Sequence, residues 1–172
     1  MMKMESFSHA KKRIAVSDKS GHTILILKSI LDFCGREIGV ADIAGEKLLE
    51  GEKPSLLLLC DAEQAESAKN YALCVTDYEL AALPALAGLN MLTYSTVSDS
   101  ADFTARNIRR TPEGFTAFEI IGVGVIGRVK CGAELSVTAS IAAAAAAIAC
   151  GVPFAEVLDA LNNIDTILQL KN

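Results

Sequence analysis

The sequence predicts one α/β domain of three layers: a P-loop-like, mostly parallel sheet with helices on both faces and an antiparallel group of strands added at one edge. Three observations carry this. Short, wholly apolar runs alternate with helical patterns through the first two thirds of the chain, which is how a parallel sheet covered on both faces reads. A polar, glycine-containing turn separates the first such run from the first helix. After Ser98-Asp99-Ser100 the apolar spacing changes to period two, the mark of strands with one face exposed. The chain has 172 residues, 51% of them apolar, enough to bury a substantial core in a single unit.

Taken in order, residues 1–12 form a flexible lead, with Lys11-Lys12-Arg13 as its solvated approach to the domain at 13–172. Apolar runs place strands at 13–17, 37–42, 55–60, 72–76 and 91–94. Helical spacing falls at 22–34, 62–70 and 78–86, with Gly35 and Gly88 as stops, and 45–53 is a charged loop or short helix. Residues 102–109 alternate, placing Arg106, Asn107 and Arg109 on an edge strand as surface residues, and 115–130 holds two more strands joined at a glycine-rich turn. Helices come next at 136–150 and 154–162, parted by Gly151-Val152-Pro153, where Gly closes one and Pro opens the other. Residues 165–172 are a last short strand or tail.

Composition excludes several classes. A net charge of −5 argues against a nucleic-acid partner. Cys34, Cys60, Cys74, Cys131 and Cys150 are an odd number without a C-x-x-C pair, and read as reduced core thiols of a cytoplasmic protein. The first ten residues lack the apolar stretch of a signal peptide. The alanine-rich run at 136–150 is too short and too weakly apolar to cross a membrane, so it is read as a buried helix.

The turn after the first strand carries the candidate chemistry. Residues 14–25 read as strand, polar turn and helix start, the layout in which backbone N–H groups cradle a phosphate. Ser17, Ser20, Gly21, His22 and Thr23 are therefore candidate nucleotide- or phosphate-binding residues. A P-loop needs lysine to reach the outer phosphates, but His22 stands there. Imidazole, with a reference pKa of ~6.5, is mostly neutral at pH 7 and cannot supply that charge. The plainer reading is a capped turn with Ser20 near the helix N-cap. Asp77 joins the candidates because it ends a strand, as do Asp61 and Glu63, where α/β sheets place ligands. A metal site is one reading of these acids and solvated loop residues the commoner one, so no metal ligands are assigned. The run 122–127 fits G-x-G-x-x-G, but a strand pattern comes after it, so it is read as a β-turn.

Larger stretches resemble the Mur ligase family. Ala101-Asp102-Phe103-Thr104-Ala105-Arg106-Asn107-Ile108-Arg109, then Gly114-Phe115-Thr116-Ala117-Phe118, is similar to that family's A-D-x-x-A-x-N-I-x…G-x-x-F stretch. The segments 142–150, Gly151-Val152-Pro153, Glu156-Val157-Leu158 and Ala160-Leu161 resemble its A-x-A-A-A-x-x-x-G-V-P…I…A-L helices. Residues 14–31 resemble its T-G-T-N-G-K-T-T loop and following helix, and 71–92 its N-A-D-D segment and the next strand. The resemblance implies the central ATPase domain of ATP-dependent, amide-forming ligases of cell-wall precursors, whose flanking domains bind the nucleotide-linked substrate and the incoming amino acid.

Departures fall on the positions the resemblance makes chemical. His22 replaces the loop lysine, and Ile24 the second of two threonines. The G-x-H-N-x-x-N motif corresponds to Gly132-Ala133-Glu134-Leu135-Ser136-Val137-Thr138, without its histidine or asparagines. The N-A-D-D segment reads Val75-Thr76-Asp77-Tyr78, keeping one acid, and Ala68-Lys69 echoes the family's A-K only by two common residues. The expectation is a stand-alone, degenerate Mur ligase central domain-like protein without ligase activity, its ATP and Mg binding weak or lost. The alternatives are an ATP-dependent ligase subunit completed by domains on other chains, and a structural or regulatory oligomer. A protein partner or homo-oligomer is expected, through a face including Phe115, Phe118 and residues 120–126.

Overall fold

A computed structural model describes residues 13–43 and 56–164. The expectations for 1–12, 45–53 and 165–172 lie outside the described residues. Eight strands form one sheet in the order β2-β1-β3-β4-β5-β6-β7-β8. They are β1 (Arg13–Ser17), β2 (Gly39–Asp42), β3 (Leu56–Leu59), β4 (Leu73–Asp77), β5 (Met91–Ser95), β6 (Phe103–Arg110), β7 (Phe115–Gly122) and β8 (Val125–Gly132). Neighbours from β2 through β6 are parallel, and β6, β7 and β8 are antiparallel. Wholly buried runs such as Leu56–Leu59 make the centre, since both faces of a parallel strand must be apolar.

One face is covered by three helices: α1 (His22–Phe33), α2 (Val137–Ala149) and α3 (Phe154–Asn162). Their core gathers Ile14, Val16, Ile26, Leu27, Ile30, Val75, Tyr94, Phe118, Ile120 and the alanines of α2. Alanine suits α2 because it is the best helix former and lets the helix lie close to α1 and the sheet. Ser136 caps it, its Oγ accepting the Ala139 N–H at 3.1 Å. The run 136–150 is thus a buried helix, and no helix among the described residues is long and apolar enough to cross a membrane.

The other face departs from the expected helices. Residues Ala62–Asn70 form 3₁₀ turns, and their buried members Ala65 and Ala68 are three apart, the 3₁₀ repeat. The expected helix at 78–86 is two 3₁₀ turns, Leu80–Ala82 and Pro84–Leu86, because Pro84 holds Leu83 extended at φ −62° and ψ 137°. These segments cover Ala15, Leu57, Leu59 and Cys74, so the second core stops short of β6.

Two further expectations are corrected. Strand β6 is interior, between β5 and β7, so Arg106, Asn107 and Arg109 do not lie on an edge strand; the edges are β2 and β8. They are nevertheless exposed, and a bulge between Arg106 and Arg109, with Asn107 at φ 53°, interrupts the expected alternation. The face expected across 115–126 is divided: Phe118 and Ile120 are buried under the helices, leaving Phe115, Ile121 and Ile126 on the opposite side. The G-x-G-x-x-G run is the β7–β8 hairpin, with Val123 and Gly124 as its two-residue turn.

Candidate functional site

The carboxyl ends of β1, β3, β4 and β5 and the start of α2 enclose a cleft of about 390 Å³, lined by Asp18, Ser20, Thr23, Cys60, Asp77, Glu79, Leu80, Tyr94, Ser136, Thr138, Ala139 and Ala142. Of the candidate residues, Ser20, Thr23 and Asp77 line this cleft, and Ser17, Gly21 and His22 are outside the lining. Ser17 is buried at the end of β1, its carbonyl accepting the Cys60 N–H at 2.9 Å. Gly21 is the N-cap of α1 at φ 74°, a conformation that favours glycine. His22 is exposed in the first turn of α1 and donates its backbone N–H to Ser20 Oγ at 3.2 Å.

The central residue of the loop is Asp18, which no motif in the sequence singles out. Its carboxylate is buried and accepts three donors: Thr23 N–H at 2.9 Å, Ser20 N–H at 3.1 Å and Ser20 hydroxyl at 2.9 Å. Ser20 stands just before the N-cap Gly21, with its Oγ accepting the His22 N–H, while Asp18 reaches across the turn and satisfies the first-turn amide of Thr23. Burial pushes the Asp18 carboxyl up, but the hydrogen bonds from Thr23 and Ser20 outweigh it and hold the pKa below the ordinary carboxylate value. A stable anion thus already occupies donors that a phosphate loop offers to its ligand. Counted along T-G-T-N-G-K-T-T, Asp18 stands at the first glycine, where the family motif carries no side chain.

The other candidate acids are engaged separately. Asp61 Oδ2 accepts the Lys19 N–H at 2.7 Å, and Glu63 pairs with the Lys19 ammonium. Asp77 Oδ1 accepts the Glu79 N–H at 2.8 Å in a local turn while still facing the cleft. Among the described residues no three His, Cys, Asp or Glu side chains are placed to hold a metal ion.

The back wall comes from strand order rather than from any motif. Tyr94 donates its hydroxyl to Cys60 Sγ at 3.8 Å, and Cys60 Sγ lies 4.0 Å from Thr23 Oγ1. Burial pushes the Cys60 thiol up to about 12, so it stays protonated and is no nucleophile at neutral pH. Burial likewise pushes the Tyr94 phenol up. None of the five cysteines forms a disulfide.

The arrangement defines a class first: a parallel sheet with a P-loop-like turn at its carboxyl edge, carrying three carboxylates and no lysine or arginine in its cleft lining. Comparison with solved structures then places the fold as that of the Mur ligase central domain. MurF from Acinetobacter baumannii superposes at a TM-score of 0.66 with 16% identity over 88% of this chain and 45% of that one. A pseudomurein peptide ligase type C from Methanothermus fervidus gives 0.69 with 14% identity over 94% and 51%. The UDP-N-acetylmuramate-alanine ligase MurC from Thermotoga maritima gives 0.62 with 14% identity over 94% and 47%. The chain thus spans about half the length of these structures. By sequence, no family profile and no curated protein matches it.

Proposed function

We propose that this chain is a degenerate Mur ligase-like domain that does not ligate and retains at most weak nucleotide or anion binding. The observation that carries the reading is the Asp18 carboxylate seated on the Ser20 and Thr23 donors of the loop. A second anion brought to about 4 Å from it meets a repulsion on the order of 4 kcal/mol at an effective dielectric of about 20, roughly a thousandfold in affinity. No lysine or arginine in the cleft lining offsets this, and Asp77 and Glu79 add negative charge. Phosphoryl transfer depends on positioning and charge neutralisation, and both are compromised together. Ser20, Thr23 and Asp77 are the residues that would hold a nucleotide phosphate in this cleft, and they are the remnant that supports weak binding. Reduced thiols fit a cytoplasmic location.

A ligase subunit completed by domains on other chains is the competing reading, supported by Ser20, Thr23 and Asp77, which still line the cleft. It requires a working ATP site, so one experiment separates the two. Calorimetry with ATP and Mg²⁺ should give no or weak binding to the parent and at least a hundredfold gain for Asp18→Gly/His22→Lys, with ATP hydrolysis at background in both. Mg²⁺-dependent turnover by the parent would overturn the proposal.

A further inference from the structure

We infer that the uncovered face of β6, β7 and β8 is a docking surface for an acidic protein segment. The strand residues of the second core are Ala15, Leu57, Leu59 and Cys74, with Met91 packed against them, and none comes from β6, β7 or β8. On the same side, the antiparallel strands instead present charge and exposed aliphatic groups. Strand register decides which. Arg106 lies opposite Glu119 and Glu119 opposite Arg128; Arg109 lies opposite Ala117 and Ala117 opposite Lys130. The bulge at Arg106/Arg109 supplies the extra residue that brings both arginines to one face. Four cations therefore stand in two rows on a chain whose net charge is −5. Their local counter-charges are few: Asp99 pairs with Arg106 at 2.6 Å, Glu119 lies 3.9 Å from Arg128, and Glu113 is within electrostatic reach of Lys130. The Arg128 side chain is 88% exposed, so that last contact leaves its guanidinium available.

Apolar anchors lie beside the cations. Ile126, paired with Ile121, is 65% exposed, and Val123 at the hairpin tip is 90% exposed. Lys130 Nζ lies 4.9 Å from the Phe115 ring centroid, holding an extended cation over an aromatic face. Arginine and aromatic groups beside aliphatic ones are the composition of protein interfaces, and the cations select an oppositely charged partner.

The geometry also disfavours other occupants. Strand addition at β8 is blocked where Asn162 of α3 donates to the Arg128 carbonyl at 3.0 Å and accepts the Lys130 N–H at 2.8 Å. A second copy docked by a two-fold axis would set this net-positive patch against its own copy. A nucleic acid carries charge along its whole length and would run beyond these four cations onto a chain of net charge −5, whereas a short acidic segment meets the patch alone.

The test uses the whole chain and a fluorescein-labelled peptide of repeated Glu-Leu-Glu units, with anisotropy as readout. Binding should weaken at least tenfold in Arg128→Glu/Lys130→Glu and as the salt concentration rises, and Ile126→Ser should weaken it severalfold. A circular dichroism melt confirms each variant's fold, and amide shifts of the parent should localise to β6–β8. The proposal is overturned if the parent does not bind the peptide or the charge-reversed variant binds it equally well. It is also overturned if oligo-dT binds more tightly through the same residues, or if light scattering shows a dimer that the variant dissociates.

Discussion

The turn after β1 and the turn between β7 and β8 each hold a glycine at positive φ, Gly21 at 74° and Gly124 at 70°. Around the first, polar donors converge on a buried carboxylate; around the second, the chain reverses in solvent and Val123 is almost fully exposed. Both stretches approximate a nucleotide-binding glycine motif. They differ in the element each one opens: α1 begins after Gly21, so its amides point into the turn, whereas a strand begins after Gly124 and its amides enter a ladder. A phosphate cradle therefore needs a helix at its exit, and here the one turn that opens a helix carries its own anion.

Substitutions sharpen the contrast. At the hairpin, a Cβ on Gly127 would lie 2.1 Å from Leu158 Cδ1, so this glycine serves the packing of α3 on β8. Gly127→Val should cost about 1–3 kcal/mol or more by urea denaturation. Gly124→Ala, with open space around its Cβ, should cost only about 1 kcal/mol from its positive φ. Equal costs at the two positions would mean that α3 does not pack as described.

In the loop, Asp18→Ala removes the acceptor that caps α1 and should lower stability by about 1–2 kcal/mol. No loss on urea denaturation would show that the turn does not rely on its carboxylate.

The smallest effect is in pH. Because folding holds the Asp18 carboxyl below its ordinary value, the unfolded chain takes up the proton first as pH drops. Its contribution is complete above a carboxylate pKa of about 4 and is lost as pH falls below that through the folded value. Asp18→Asn should therefore flatten the fall of Tm on acidification below about pH 4; an unchanged slope would assign the acid sensitivity elsewhere.

Much of the scaffold is legible in the sequence because buried parallel strands are runs of branched apolar residues: 13–17 coincides with β1, and 91–94 falls one residue short of β5. The 3₁₀ segments are not, since Ala62–Asn70 has the composition of an ordinary helix and only its placement over β3 favours the tighter turn. The interior position of β6 depends on its pairing with β5, a long-range choice that alternation within 102–109 does not encode. The site is half legible. Ser20, Thr23 and Asp77 follow from position after strands, while Cys60 and Tyr94 enter only through strand order. Asp18 is visible as an acid inside an N–H-rich turn five residues before Thr23, but the missing lysine is the louder signal and masks the added carboxylate.

The central claim is that this carboxylate holds the loop's donors against external anions. Titrating inorganic phosphate into ¹⁵N-labelled protein reads the Ser20 and Thr23 amides directly. They should stay unmoved in the parent and shift in a saturable way in Asp18→Gly; saturable shifts of the same size in the parent would contradict the account.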